Sequence, residues 1–132
     1  DNFKAYALKS LKEVRYHLKR SSEWIIRLAK GTDESRGRTE GALNDLWKYT
    51  GELFESIEGA DKLIDLGIIP NMGDVKEIWY QEVERIFTMA NLEVPNSTYF
   101  VSGSVNGLHT EFMGYILAEM QSLHRLYPDA NW

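Results

Sequence analysis

Cysteine is absent from this chain of 132 residues, and proline occurs only three times. Without cysteine the chain can form neither disulfides nor thiolate metal sites, and it has no thiol nucleophile. No stretch approaches the roughly 18 apolar residues of a membrane-spanning helix, so we expect no membrane contact. No apolar signal segment follows Asp1, and with the missing cysteines this favours a reducing cytoplasm as the location.

The charge of the chain is unevenly distributed along the sequence, although the total is only −5. Residues 1–30 carry eight basic and three acidic side chains, whereas the remainder carries seven basic and seventeen acidic ones. The acidic total disfavours nucleic acid as a partner. The basic segment either attracts the acidic remainder within the fold or presents a basic face to an acidic partner or a phosphate-bearing ligand.

Apolar residues recur at helical spacing and strand-like alternation is absent, which predicts an all-α protein with about four amphipathic helices. We expect a single helical domain over 1–132. The first helix is predicted over 3–30 and the second over 36–57, with its apolar stripe continuing through Ile57. Gly59 breaks the second helix, and the connector 60–73 allows at most a short helical turn.

Two further helices are predicted in the second half of the chain. Asp74 is the predicted N-cap of a helix that ends near Leu92, and Thr110 is the predicted cap of a last helix over 108–127. The segment 93–107 is rich in Pro, Ser, Asn and Gly. Its apolar triplet Tyr99-Phe100-Val101 predicts a loop pinned onto the rest of the chain.

Glu13 and His17 are weak candidates for metal ligands, because residues four apart share one helix face. Di-iron bundles instead use Glu-x-x-His pairs on two helices and a Glu from each of two others. Tyr16 stands where that His would fall, and the sequence contains no Glu-x-x-His at all. A surface or partner-facing pair is therefore the preferred interpretation, and we expect no cofactor in this chain.

Two further sets of acidic and histidine residues could be considered as metal ligands, and neither is preferred as one. His109-Thr110-Glu111 resembles the His-x-Glu of zinc deaminases, but those enzymes need cysteine ligands that this chain lacks. Four carboxylates near the apolar seams could be metal ligands, yet we expect them to pair with the basic first helix; they are Glu52, Glu55, Glu82 and Glu119.

Two stretches carry a resemblance to one known family. Residues 11–33, with Lys-Glu-x-Arg-Tyr-His-Leu, and residues 107–126, with Gly-Leu-His-Thr-Glu and Leu-Ala-Glu-Met-Gln, resemble the C subunits of bacterial phenylacetyl-CoA epoxidase. Leu46-Trp47 through Leu53-Phe54, and Ile78-Trp79 to Val83, fit between them in the right order. The resemblance covers nearly the whole chain.

The resemblance implies a ferritin-like bundle that acts as a non-catalytic structural subunit. In that family the A subunit holds the di-iron centre that oxygenates phenylacetyl-CoA, and the C subunit packs against it. An autonomous di-iron oxygenase and a generic helical interaction module are the alternatives. Candidate partner-binding residues are Lys12, Arg15, Lys19, His109 and Glu111.

Family members run to about twice this length, and the resemblance covers only their C-terminal half. We therefore expect a partial bundle, from a truncated chain or a proteolytic remnant. The apolar stripe of its first helix would then lack its natural neighbours, which predicts self-association.

Overall fold

A computed structural model describes the backbone of residues 2–131 and the side chains of residues 3–131. The described residues form helices joined by turns and loops, without a strand, and the predicted all-α class is confirmed. Asp1 and Trp132, the ends of the predicted 1–132 domain, lie outside the described residues. The α-helices are α1 Asn2–Ala29, α2 Asp33–Trp47, α3 Ala60–Asp65, α4 Met72–Ala90 and α5 Phe112–Leu126.

Helix α1 agrees with the first predicted helix to within one residue at each end. A tight turn then reverses the chain into α2, where the Thr32 hydroxyl accepts a hydrogen bond from the Ser35 N–H at 3.2 Å. The Ser35 hydroxyl donates in turn to the Leu28 carbonyl at 2.7 Å. These bonds satisfy backbone groups at both helix ends, so the two helices meet at a fixed turn.

Helix α2 ends at Trp47, ten residues before the predicted end at Ile57. Tyr49 N–H donates to Leu46 O at 3.0 Å, three residues back, and the Thr50 hydroxyl donates to Trp47 O at 2.8 Å. Both bonds replace the regular α-helical pattern, and the chain continues as a short 3-10 helix over Thr50–Phe54. The predicted helix 36–57 was therefore too long.

The predicted N-cap of α4 is wrong by three residues. Asn71 caps the helix, since its Oδ1 accepts a hydrogen bond from Gly73 N–H at 2.7 Å. Asp74 lies in the first turn instead, where its negative charge interacts favourably with the positive end of the helix dipole. At the other end Asn91 adopts φ 56°, the left-handed conformation that closes many helices.

The last helix begins later than predicted and without the expected cap. Residue 111 is the N-cap of α5 and makes no side-chain capping bond; Thr110 uses its carbonyl, not its hydroxyl, to accept the Met113 N–H at 3.1 Å. The short 3-10 helix Ser104–Asn106 and Gly107, with φ 79°, turn the chain before that point. Residues 108–110 therefore lead into α5 without regular secondary structure.

The core is small and lies where the end of α1 meets α2 and α4. Its buried members are Ala29, Trp47, Ile86, Phe87, Ala90 and Leu92. Helix α5 contributes no buried residue. In the part of the chain that is described, no helix is both long and apolar enough to cross a membrane.

Candidate functional site: partner-binding surfaces

The basic residues predicted to bind a partner lie on an uncovered part of α1. Lys12, Arg15 and Lys19 are all exposed, and they share one side of the helix because their spacings are three and four. The apolar seam beside them is also open, since its three members are 41–59% exposed; they are Leu11, Val14 and Leu18. The C-terminal end of α1, by contrast, packs on the core through Ile25, Ile26 and Ala29.

Two of the four carboxylates that were predicted to pair with the first helix have other partners. Glu82 forms an ion pair with Arg85 of its own helix at 2.6 Å, and the Glu55 carboxylate accepts the Gly103 N–H at 3.3 Å. The ion pairs Lys19–Glu23, Arg36–Glu40 and Arg38–Glu34 also each stay within one helix. For Glu82 and Glu55 the predicted pairing with the first helix is therefore wrong.

The Glu82–Arg85 pair alters the ionisation of both its members. A bidentate hydrogen bond from Arg85, together with its charge, holds the pKa of Glu82 below its usual range, while slight burial opposes the effect. The same hydrogen bond raises the pKa of Arg85. Both groups stay charged at neutral pH, so the pair stabilises a surface turn of α4 rather than supplying a proton.

Glu13 and His17 both lie exposed on α1, and the His17 ring contacts the Tyr16 ring edge-on, with centroids 5.9 Å apart. Across the described residues, no three His, Asp or Glu side chains are grouped closely enough to hold a metal ion. A di-iron centre requires six such ligands converging between helices. The donor set of the described residues does not fit that centre.

His109 and Glu111 occupy different positions around a groove of about 560 Å³ beside α5. His109 lines this groove together with Glu52 and apolar side chains that include Leu46, Leu108, Phe112 and Ile116. Glu111 stands at the start of α5, outside the lining. The structure therefore brings His109 and Glu52 to one surface but gives Glu111 no shared site with them.

The loop before α5 is pinned to the end of α2, as its apolar triplet predicts. Val101 N–H donates to Lys48 O at 2.8 Å, and the Phe100 side chain packs so closely on Gly51 that an added Cβ would lie 3.1 Å from it. Gly103, at φ 109°, leaves similarly little room beside Leu108. These contacts fix one wall of the groove that His109 lines.

A second and larger groove, which sequence reasoning missed, opens between α2, α4 and the end of α1. This α2–α4 groove has a volume of about 760 Å³. Its apolar lining includes Leu28, Leu43, Trp47, Trp79, Val83 and Phe87. The helical stripes contained these residues, but periodicity alone indicates which face is apolar and not whether anything covers it.

Comparison with known proteins agrees with the resemblance seen in the sequence. A sequence model of the family described as "Phenylacetic acid catabolic protein", a ferritin-like family, matches residues 1–132. The chain is also 40% identical over 128 residues to the C subunit of 1,2-phenylacetyl-CoA epoxidase from Escherichia coli (strain K12). That match covers 97% of this chain but 52% of the relative, so the chain spans about half the length of the relative.

Proposed function

The chain belongs to the phenylacetic acid catabolic protein family, and from this premise we propose that it serves as a non-catalytic structural subunit of a multicomponent di-iron monooxygenase. The proposed complex epoxidises phenylacetyl-CoA during aerobic phenylacetate catabolism. The similarity to the C subunit of such an epoxidase along nearly the whole chain is the observation that carries this proposal. A cytoplasmic location goes with this role, because highly charged coenzyme A thioesters do not cross membranes unaided.

The donor chemistry of the chain supports a non-catalytic role. An autonomous di-iron oxygenase would need two Glu-x-x-His pairs, and this sequence has none. In the proposed complex the catalytic subunit holds the iron and the oxidisable substrate. This chain packs against the catalytic subunit and stabilises its fold.

We propose the basic face of α1 as the contact with the catalytic subunit. Lys12, Arg15 and Lys19 stand beside an open apolar seam, so a partner could bury the seam while acidic groups at its rim meet the cations. Interfaces commonly combine an apolar centre with a polar rim. Opposite charge at the rim accelerates association more than it strengthens the final complex. His109 and Glu111 remain secondary candidates for the same partner.

Charge reversal tests this contact. We expect Lys12→Glu with Lys19→Glu to lower the rate of association with the catalytic subunit by about tenfold or more at low salt. The deficit should shrink at moderate salt, because the Debye length falls from about 30 Å at 0.01 M to about 8 Å at 0.15 M. Surface plasmon resonance with the purified catalytic subunit would measure both rates.

The matched control reverses two exposed lysines away from α1, Lys62→Glu with Lys76→Glu, and it should change the rate far less. If both double variants associate like the parent chain and unfold at the same temperature, the basic face is only solvated surface. If excess free coenzyme A slows association of the parent chain but not of the Lys12→Glu, Lys19→Glu variant, the lysines bind the phosphates of the substrate instead.

A further inference from the structure

Asn106 and Gly107 form the only Asn-Gly pair in the sequence, and they lie in the turn 103–108 that precedes α5. Asparagine is chemically labile, because its side-chain carbonyl carbon can be attacked by the backbone nitrogen of the next residue. Glycine has no Cβ, so it hinders this attack less than any other residue does. The pair therefore has the composition of a site that deamidates without an enzyme.

Backbone hydrogen bonds hold the turn 103–108 closed. Asn106 N–H and Leu108 N–H donate to Gly103 O at 2.9 and 3.0 Å, and Gly107 N–H donates to Ser104 O at 3.0 Å. With Gly107 at φ 79°, the last two bonds form the arrangement that closes many helices. The Gly107 nitrogen must lose its proton before it can attack, and in this turn that proton is bound to the Ser104 carbonyl. The closed turn therefore protects Asn106.

The turn can open without disturbing the core. None of the residues 104–108 is buried, and the 3-10 helix Ser104–Asn106 is only three residues long. Segments with few buried contacts open locally at a much smaller cost in free energy than global unfolding requires. Such an opening releases the Gly107 nitrogen and frees the Asn106 backbone to bring its side chain towards that nitrogen.

We propose that Asn106 is a site of spontaneous deamidation and that the turn 103–108 controls its rate. In the open turn the Gly107 nitrogen loses its proton to water and forms a bond to Cγ of Asn106. The side-chain nitrogen takes up a proton and leaves as ammonia. Water then opens the cyclic imide: breaking the new bond leaves aspartate, and breaking the original peptide bond leaves isoaspartate. Overall, water is consumed and ammonia released in equal amounts, and nothing is oxidised or reduced.

The isoaspartate product changes the geometry of the turn. Its main chain runs through Cβ, so an additional carbon atom separates position 106 from the Gly107 nitrogen. The bonds from Gly107 N–H to Ser104 O and from Leu108 N–H to Gly103 O can then no longer be made together. Leu108 lines the groove beside α5, so the altered turn adjoins one wall of that groove. Deamidation should therefore loosen the segment that leads into α5 while the core stays intact.

Peptide mapping by mass spectrometry, after incubation of the chain at mildly alkaline pH, tests this site. We expect isoaspartate to form at Asn106 at least threefold faster than at the asparagines that precede larger residues, which are Asn44, Asn71, Asn91 and Asn96. In urea the rate at Asn106 should rise at least threefold again, because the turn is then always open. Faster conversion at another asparagine of the folded chain, or equal rates at Asn106 with and without urea, would overturn the proposal.

A matched pair of variants tests the control by the turn. The Glu55 carboxylate accepts the Gly103 N–H at 3.3 Å and so anchors the start of the turn. Glu55→Ala should raise isoaspartate formation at Asn106 at least twofold and hydrogen exchange at Gly107 N–H by a similar factor. Glu52→Ala, which removes a nearby carboxylate, should change neither rate. If the two rates do not rise together in the Glu55 variant, the turn does not control the site.

Discussion

The indole rings of Trp47 and Trp79 lie 5.8 Å apart, centroid to centroid, and join α2 to α4. Phe87 adds a third ring, 6.0 Å from Trp47, and Phe54 packs edge-on against Trp79 at 5.3 Å. Aromatic side chains bury more apolar area than other residues and supply much of the energy of a core. Since the core is small and α5 adds nothing buried, stability of the described chain is concentrated in this cluster.

Truncation of Trp47 should therefore be severely destabilising. Trp47 is 6% exposed, and Trp47→Ala removes its contacts with both Trp79 and Phe87. We expect the free energy of unfolding to fall by about 3–5 kcal/mol, measured by urea denaturation. Trp24→Ala is the matched control, since Trp24 is 44% exposed on α1 and its ring contacts Arg27. Equal losses in both variants would show that the cluster is not the centre of stability.

Arg36 should contribute more to stability than its neighbour Arg38. Its guanidinium donates to Asn91 O at 2.8 Å and to Ala29 O at 3.4 Å, and so ties α2 to the ends of α4 and α1. Arg36→Met should lower the free energy of unfolding by about 1–2 kcal/mol. Arg38→Met, which breaks only the exposed pair with Glu34, should have almost no effect. Thermal denaturation of the two variants gives the comparison.

The carboxyl of Glu82 should titrate at a lower pH than an ordinary glutamate. Its pKa is lowered in the folded chain by the hydrogen bond and charge of Arg85. The pair therefore stabilises the fold fully above the pKa of the unfolded chain, and this contribution is lost as the pH falls through the folded pKa. Carboxyl carbon shifts in an NMR titration give the midpoint. Arg85→Gln should raise it to the ordinary value, whereas Arg38→Gln should leave it unchanged.

The chain should not bind iron in stoichiometric amount. Tyr16 stands where a Glu-x-x-His ligand would be, and the described residues offer no converging donor set. Metal analysis after reconstitution with Fe(II) should find well under one iron per chain. Glu13→Gln with His17→Gln should leave any residual iron unchanged. One tightly held iron that disappears in this double variant would refute the non-catalytic assignment.

The sequence predicted which segments form helices more accurately than the residues at which those helices begin and end. The bounds of α1 followed from an uninterrupted apolar stripe, whereas α2 was extended to Ile57 because Leu53 and Phe54 keep helical spacing beyond Trp47. A 3-10 turn nearly preserves that spacing, so periodicity could not reveal where the α-helix stops. Asn71 and Asp74 both have capping side chains, and only the bond to Gly73 N–H decides between them.

The surfaces were predictable in composition but not in arrangement. The basic character of α1 and the pinned triplet at Phe100 follow directly from residue order. The hydrogen-bond partner of Glu55 could not be predicted. Its carboxylate accepts the N–H of Gly103, 48 residues away, and this contact depends on how the loop folds back. The α2–α4 groove depends likewise on contacts between distant helices, which a single sequence does not encode locally.

The large accessible surface also governs how cooperatively a lone copy would unfold. The steepness of denaturant unfolding, and the heat capacity change with it, scales with the surface newly exposed. A single chain that already exposes 11188 Å² has roughly a quarter less left to expose than a compact protein of equal mass. Its urea transition should be correspondingly shallow at high dilution. If copies of the chain associate, the slope should steepen with protein concentration, because their contact adds surface that unfolding then exposes.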